Sequence, residues 1–248
     1  MAQQRKLLID GAASVEASVE DVAPPMAVDR PVIELAPAAE ALTSWICRGC
    51  KRTLDIVISV FALLVLLPFT TIAVLAIVLD SRGSPFFVHD RIGRVGAPIG
   101  VLKLRTMEAD AQERLDGFLK THPDLHEGWK MGFKLLDDPR VTRVGAFLRR
   151  WSLDEVPQFV NVLLGQMSVV GPRPVTPDEA SFFGSDLPLV LSVRPGLTGL
   201  WAVSGRSELP YLERAALEAS YVRNWSLLGD LSIMLRTVPA VASRRGAC

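Results

Sequence analysis

Two adjacent carboxylates, Asp154 and Glu155, stand past the middle of a 248-residue chain, inside the run Ser152-Leu153-Asp154-Glu155-Val156-Pro157-Gln158. Arginines crowd them on both sides: Arg140 and Arg143, then Arg149-Arg150, then Arg173 within Gly171-Pro172-Arg173-Pro174. A carboxylate pair of this kind offers a nucleophile and a partner for a proton or metal. Pro172 and Pro174 restrict the backbone around Arg173, and a rigid guanidinium suits bidentate recognition of phosphate. Carboxylates facing a diphosphate repel it unless a cation intervenes, and hard oxygen donors favour Mg²⁺. The stretch from Asp137 to Pro174 therefore reads as a site for a phosphate-bearing substrate and a metal.

The elements that must position these groups follow from spacing. Val144, Phe147, Leu148 and Trp151 fall on one face of a helix, and Val156, Phe159, Val160 and Leu163 repeat the spacing on a second. Ser152 and Glu155 have capping-box spacing, but Pro157 favours a later start, with Asp154 as N-cap and Pro157 at N3. That would set Asp154 among free N–H groups at the positive end of the helix dipole, which favours its ionised form. Such a cap alone contributes about 1 kcal/mol and implies no chemistry; the surrounding arginines favour the nucleophile. Upstream, Phe86-Phe87-Val88 reads as a short strand, Arg91 to Gly96 as a hairpin-like connection, and Ile99 to Leu104 as a second strand. Lys103 and Arg105 alternate there with Leu102 and Leu104, so both project from one face. No G-x-G-x-x-G or Walker A pattern occurs, which excludes the standard nucleotide cradles. Residues 108–136 are polar with a helical tendency. His122 and His126 are four apart, but Pro123 spoils their helical spacing and argues for a surface excursion rather than a metal site.

Residues 1–44 carry three basic side chains against seven acidic ones, so the neutral chain has a basic body suited to anionic partners. Their composition, without period, predicts a disordered acidic tail. Three cysteines, Cys47, Cys50 and Cys248, with no secretory apolar stretch after Arg5-Lys6, point to reduced thiols in the cytosol. The lone Cys47-Arg48-Gly49-Cys50 motif is weak evidence for metal. Arg48, Lys51 and Arg52 precede an uncharged run, Ile56 to Leu79, and mark a cytoplasmic edge. As a straight helix that run would be about 36 Å long, enough to cross a hydrocarbon core of about 30 Å. Pro68 falls in its middle and predicts a sharp kink, with Ser59, Thr70 and Thr71 able to satisfy freed backbone groups. Hydropathy by itself favours a single pass; the proline leaves a helix–break–helix that returns to the same side as the other reading. Near the end, Leu227, Leu231, Met234, Leu235 and Val238 form an apolar stripe that either lies on a membrane or packs on the core.

Taken in order, Lys103-Leu104-Arg105-Thr106-Met107, Asp138-Pro139-Arg140, Ser152 to Gln158, Val170-Gly171-Pro172-Arg173-Pro174, Arg194-Pro195-Gly196-Leu197-Thr198-Gly199 and Ser204-Gly205-Arg206 resemble the bacterial polyprenyl-phosphate sugar-1-phosphate transferases of the small monotopic type. The resemblance spans about residues 48–245, and Tyr221 to Leu227 are most similar to the exopolysaccharide-initiating galactosyl-phosphate transferases. It implies that Asp154 attacks the sugar-bearing phosphorus of a UDP-sugar, releases UMP, and passes the phospho-sugar to undecaprenyl phosphate. Galactose or glucose is the expected sugar. Glu155 would assist with metal or proton handling, both carboxylates serving Mg²⁺, while Lys103, Arg105, Arg140, Arg149, Arg173 and Gln158 contact substrate. It also implies a first helix that is re-entrant, broken at Ser59 and Pro68. Partners would be inner-membrane lipids and other polysaccharide-assembly proteins, with no nucleic acid. Two positions depart from the pattern: Ala202 replaces a frequent Gln after Trp201, and Gln166 replaces an acidic residue before Met167-Ser168.

The expected organisation is a tail (1–44), a re-entrant membrane helix (45–80) and a catalytic domain (81–245). The fold class is mixed α/β, mainly helical: a small globular cytoplasmic domain with membrane-surface helices, attached to the bacterial inner membrane. The competing class is a membrane-attached, non-enzymatic scaffold for polysaccharide assembly, which would leave Asp154, Glu155 and the arginines without a task.

Overall fold

The computed structural model describes residues 45–122, 138–205 and 209–243. The tail, His126, Asp137, Arg206 and Cys248 lie outside them.

The uncharged run of residues 56–79, with a charged turn before it, forms helix α1 (Trp45–Asp80), which is long and apolar enough to cross a membrane. The helix continues through Pro68 instead of breaking there. The proline removes one backbone donor and crowds the Leu64 carbonyl, yet the next turn holds, with the Thr70 and Thr71 hydroxyls donating to the Leu66 and Leu67 carbonyls. Ser59 is fully buried and its hydroxyl has no partner.

Both ends of α1 are fastened to the same globular body. At the first end Lys51 Nζ donates to the Asp230 carboxylate and the Val170 carbonyl, and Arg52 donates to the Val162 and Leu163 carbonyls. Buried Asp55 accepts from Ser168 Oγ and the Val169 N–H. At the far end Ala73 and Ile77 pack on Leu104 and Leu148. Asp80 accepts from the Val144 N–H, and Arg105 donates to the Ser81 and Arg82 carbonyls. Between the two ends Phe61, Leu64, Leu67, Phe69 and Ile72 are exposed.

The hairpin read from sequence is present and longer than expected: β1 (Phe86–Ile92) pairs antiparallel with β2 (Pro98–Leu104). The register sets Phe87 opposite Lys103, His89 opposite Val101 and Arg91 opposite Ile99, so alternation brings Phe87, His89, Arg91 and Lys103 to one face. Helix α2 (Ala111–Thr121) follows, then α3 (Arg143–Arg150), capped by Thr142 Oγ1 on the Gly145 N–H. Leu148 is buried on α3, whereas Phe147 is exposed. After α3 a 3-10 turn over Leu153–Glu155 leads into the short helix α4 (Gln158–Leu163). On α4 Val162 is buried and Val160 exposed, so the buried face is rotated from the expected one.

Strand β3 (Ser168–Val170) runs to the Gly-Pro-Arg-Pro loop, followed by a 3-10 segment (Asp178–Asp186) and helix α5 (Leu187–Leu191). Strand β4 (Gly196–Thr198) then pairs parallel with β3, a pairing that periodicity does not announce. A Cβ on Gly196 would lie 2.1 Å from the Gly171 nitrogen, so this crossing admits no side chain. Helices α6 (Leu200–Val203), α7 (Tyr211–Arg223) and α8 (Leu227–Ala242) complete the body. Val162, Met167, Val170, Ala219, Val222 and Trp225 form its core. Helix α8 turns Asp230 and Ile233 inward and leaves Leu228, Leu231, Leu235 and Val238 exposed.

Candidate active site

Strand β2 and the turn after α3 converge on the carboxylate pair. Lys103 Nζ lies 2.9 Å from Glu155 Oε1 and 3.7 Å from Asp154 Oδ2, bridging the two. Asp154 is buried, while the Glu155 side chain is about a third exposed. Arg149, at the end of α3, donates through Nε to Thr106 Oγ1 at 2.8 Å. Burial pushes the Asp154 carboxyl above the ordinary carboxylate range; Lys103 and Arg149 pull it down, and Glu155 pushes it further up.

The N-cap expectation for Asp154 is corrected by the backbone. Ser152 takes a left-handed conformation (φ 54°), the next three residues close a 3-10 turn, and α4 begins only at Gln158, with Pro157 before it. Asp154 therefore sits one turn ahead of the helix, and the Ser152 side chain makes no cap hydrogen bond. The groups that favour its charge are Lys103 and Arg149, together with a hydrogen bond from the Asp154 backbone. A serine in the left-handed region is strained, and strain held beside a buried carboxylate marks a position whose geometry matters.

Gln158 is buried at the start of α4. Arg140 is also buried and grips Asp138 through Nε and Nη2. Burial raises the Asp138 pKa, but these bonds outweigh it and hold the carboxyl below its usual range. Arg105 is directed to Ser81 and Arg82 at the end of α1 rather than to the carboxylate pair, because those carbonyls sit within its reach. Arg143 and Arg150 are exposed. Arg173 is held by its loop, its N–H donating to Glu218 Oε1 at 3.0 Å.

Around Arg173 lies a polar cluster that the sequence reading missed. The Arg173 guanidinium stands 5.0 Å from the Trp201 ring centre, and Arg214 stands 6.0 Å from the same ring and 4.8 Å from Tyr211. Glu179 accepts from Arg91, Tyr211 and the Thr176 N–H. His89, within electrostatic reach of Arg91, Lys103 and Arg173, is pushed down to about 4, chiefly by burial, and is neutral at physiological pH. One signal was available for each side. His89 and Arg91 alternate along β1, and Tyr211, Arg214 and Glu218 fall at i, i+3 and i+7 on α7.

Glu218 is wholly buried and pushed up to about 8 from an ordinary 4.5 by burial, against the pull of the Arg173 N–H and the Arg173 and Arg214 charges. A carboxyl that holds its proton more tightly folded than unfolded contributes stability in full below its unfolded pKa, and loses it as pH rises through the folded one. Glu218→Gln should therefore flatten the fall in melting temperature between about pH 4.5 and pH 8. Calorimetry of the detergent-solubilised chain measures this, and an equally steep fall in the variant would assign the slope to other groups.

The family described as bacterial sugar transferase matches residues 46–244. The chain is 45% identical over 197 residues to the exopolysaccharide production protein ExoY of Sinorhizobium fredii, covering 79% of this chain and 87% of that protein. It is 41% identical over 200 residues to an undecaprenyl-phosphate galactose phosphotransferase of Salmonella typhimurium, covering 81% of this chain and 42% of that protein. It is 40% identical over 205 residues to a UDP-glucose:undecaprenyl-phosphate glucose-1-phosphate transferase of Caulobacter vibrioides, covering 79% and 71%.

Proposed function

The chain belongs to the bacterial sugar transferase family, and we propose that it transfers a sugar-1-phosphate from a UDP-sugar to undecaprenyl phosphate as the first step of exopolysaccharide synthesis. The observation that carries this reading is a buried carboxylate, Asp154, tied through Lys103 to Glu155 and flanked by Arg149. The names of the relatives supply the substrate class, a nucleotide sugar and a lipid phosphate, with galactose or glucose as the sugar.

In this account an Asp154 oxygen attacks the sugar-bearing phosphorus. The bond from that phosphorus to the bridging oxygen breaks, and UMP leaves with the electron pair. An oxygen of undecaprenyl phosphate then attacks the same phosphorus and expels the Asp154 carboxylate unchanged. Nucleophilic catalysis of this form lets the nucleotide depart before the lipid reacts. Lys103 stabilises the ionised form of Asp154, and Arg149 adds positive charge where negative charge develops on phosphorus. Glu155 shares Lys103 and is the more exposed carboxylate, placed to meet solvent or a cation.

Mg²⁺ fits this donor set. Among the described residues no group of three or more His, Cys, Asp or Glu side chains could hold a metal, so the chain would offer the Asp154 and Glu155 oxygens. Mg²⁺ commonly takes one or two carboxylates and completes its shell with phosphate oxygens and water. When bound it would neutralise diphosphate charge. A panel of UDP-sugars incubated with the purified chain and undecaprenyl phosphate tests the reading. UMP should appear with at least one sugar, vanish with chelator, and return with Mg²⁺. No UMP from any sugar would overturn the function, and full turnover in excess chelator would remove the metal.

The two fastened ends of α1 support a helix that enters and leaves the inner membrane on its cytoplasmic face, bent near Ser59 and Pro68. The exposed leucines of α8 would rest on the same surface. A single cysteine in the tail, with the native three replaced by serine, should resist a membrane-impermeant reagent in intact cells. Labelling as strong as at a periplasmic control would instead support a spanning helix.

A further inference from the structure

The hairpin face that holds Phe87, His89, Arg91 and Lys103 runs between two anchors. Lys103, opposite Phe87, bridges Asp154 and Glu155. Arg91 donates to the Pro174 carbonyl and to Glu179. His89 stands between them, two residues along β1 from Phe87, a step of about 7 Å. The proposed reaction gives it no task. Its ring makes one hydrogen bond among the described residues, with Nδ1 3.3 Å from Arg91 Nη2. A guanidinium has only donors, so Nδ1 is the acceptor and the proton of the neutral ring sits on Nε2. Burial and the charges of Arg91, Lys103 and Arg173 hold the ring neutral, against the pull of Glu179. Nε2 lies on the far side of the ring from Arg91, and the next pair on that side of the face is Phe87 and Lys103. The Phe87 ring centre is 5.8 Å from that of the imidazole, in a tilted contact. His89 is only half-buried, so its free N–H is open to a ligand. A nitrogen that already carries a proton is a donor and not a base.

We propose that His89 is a further substrate-binding residue, whose Nε2–H donates to a diphosphate oxygen of the nucleotide sugar. The inference rests on the transferase reading and adds His89 to its binding residues. A diphosphate attacked by Asp154 comes to lie beside Lys103, whose Nζ is 3.7 Å from Asp154 Oδ2. Its non-bridging oxygens are acceptors, and a hydrogen bond to a charged oxygen is stronger than one to a neutral oxygen. The imidazole supplies that bond without adding a further positive charge beside Arg91 and Lys103. Arg91 fixes the tautomer before substrate arrives, so the donor is set in advance.

The test uses the full chain in detergent, titrated calorimetrically with UDP and with uridine. His89→Phe, which keeps a ring and removes both nitrogens, should weaken UDP about tenfold or more, and so should His89→Leu. His89→Gln, whose amide keeps an N–H, should stay within about threefold of the wild type. Uridine, which has no phosphate, should respond to none of these changes. Nitrogen-15 spectra of the ligand-free chain should show the His89 proton on Nε2, without titration between about pH 6 and pH 8. The chain has three histidines, and the signal lost in His89→Gln assigns the one in question. Melting temperatures show which variants fold, and the spectra of the wild type stand without any of them. Unchanged UDP affinity in folded His89→Phe or His89→Leu, an equal loss in folded His89→Gln, a parallel loss of uridine affinity, or a proton on Nδ1 would each overturn the proposal. UMP release from UDP-sugars is scored separately. If UDP affinity depends on His89 as expected and no UDP-sugar yields UMP, the transferase reading falls and the diphosphate contact stands.

Discussion

Lys103→Met should lower UMP release at neutral pH by about tenfold or more, the cost of losing a charge-assisted contact, because the ammonium that favours the ionised form of Asp154 is gone. The sign follows from the surroundings. Burial and Glu155 raise the Asp154 pKa, and Lys103 is the largest influence lowering it. Removing Lys103 moves the acid limb of the pH–rate profile upward, so the variant recovers part of its activity as pH rises. Lys103→Arg, which keeps the charge, should lose less. A loss of rate with the acid limb unmoved would mean that Lys103 serves only to bind substrate.

Asp154→Asn should abolish UMP release, by more than about 10³-fold, with or without lipid acceptor, since it keeps the shape and removes the nucleophile. Glu155→Gln should fall by less, because Glu155 is the more exposed of the two and is not the attacking group. The two rates are read from UMP production in the same preparation. Comparable losses in both variants would move the chemistry from Asp154 to the pair as a unit.

Much of this site was legible in the sequence for definite reasons. Alternation along β2 placed Lys103 on a strand face, the prolines around Arg173 announced a fixed loop, and the acidic pair announced itself. What was not legible depended on contacts distant in sequence. The β3–β4 pairing joins two three-residue strands across a long separation and leaves no periodic trace. Arg105 has the same strand context as Lys103, but the carbonyls ending α1 claim its guanidinium. The start of α4 was misplaced because nothing local marks Ser152 as the residue that turns left-handed. Tyr211, Arg214 and Glu218 had helical spacing, yet a polar face ordinarily meets solvent; here it meets Arg173 and Trp201. The uncharged run of α1 was plain from composition, whereas the fastening of both ends of the helix to one body is visible only in the packing.

A covalent bond between Asp154 and the phospho-sugar can be trapped on the protein. The wild-type chain is incubated with UDP-sugar labelled in the sugar, in the absence of polyprenyl phosphate, then denatured and separated from small molecules. Label should be retained on the wild-type protein, absent from Asp154→Asn, and released as lipid-linked sugar when the acceptor is added before denaturation. A wild type that never retains label, together with an Asp154→Asn variant that still turns over once lipid is present, would contradict it and establish single-step transfer.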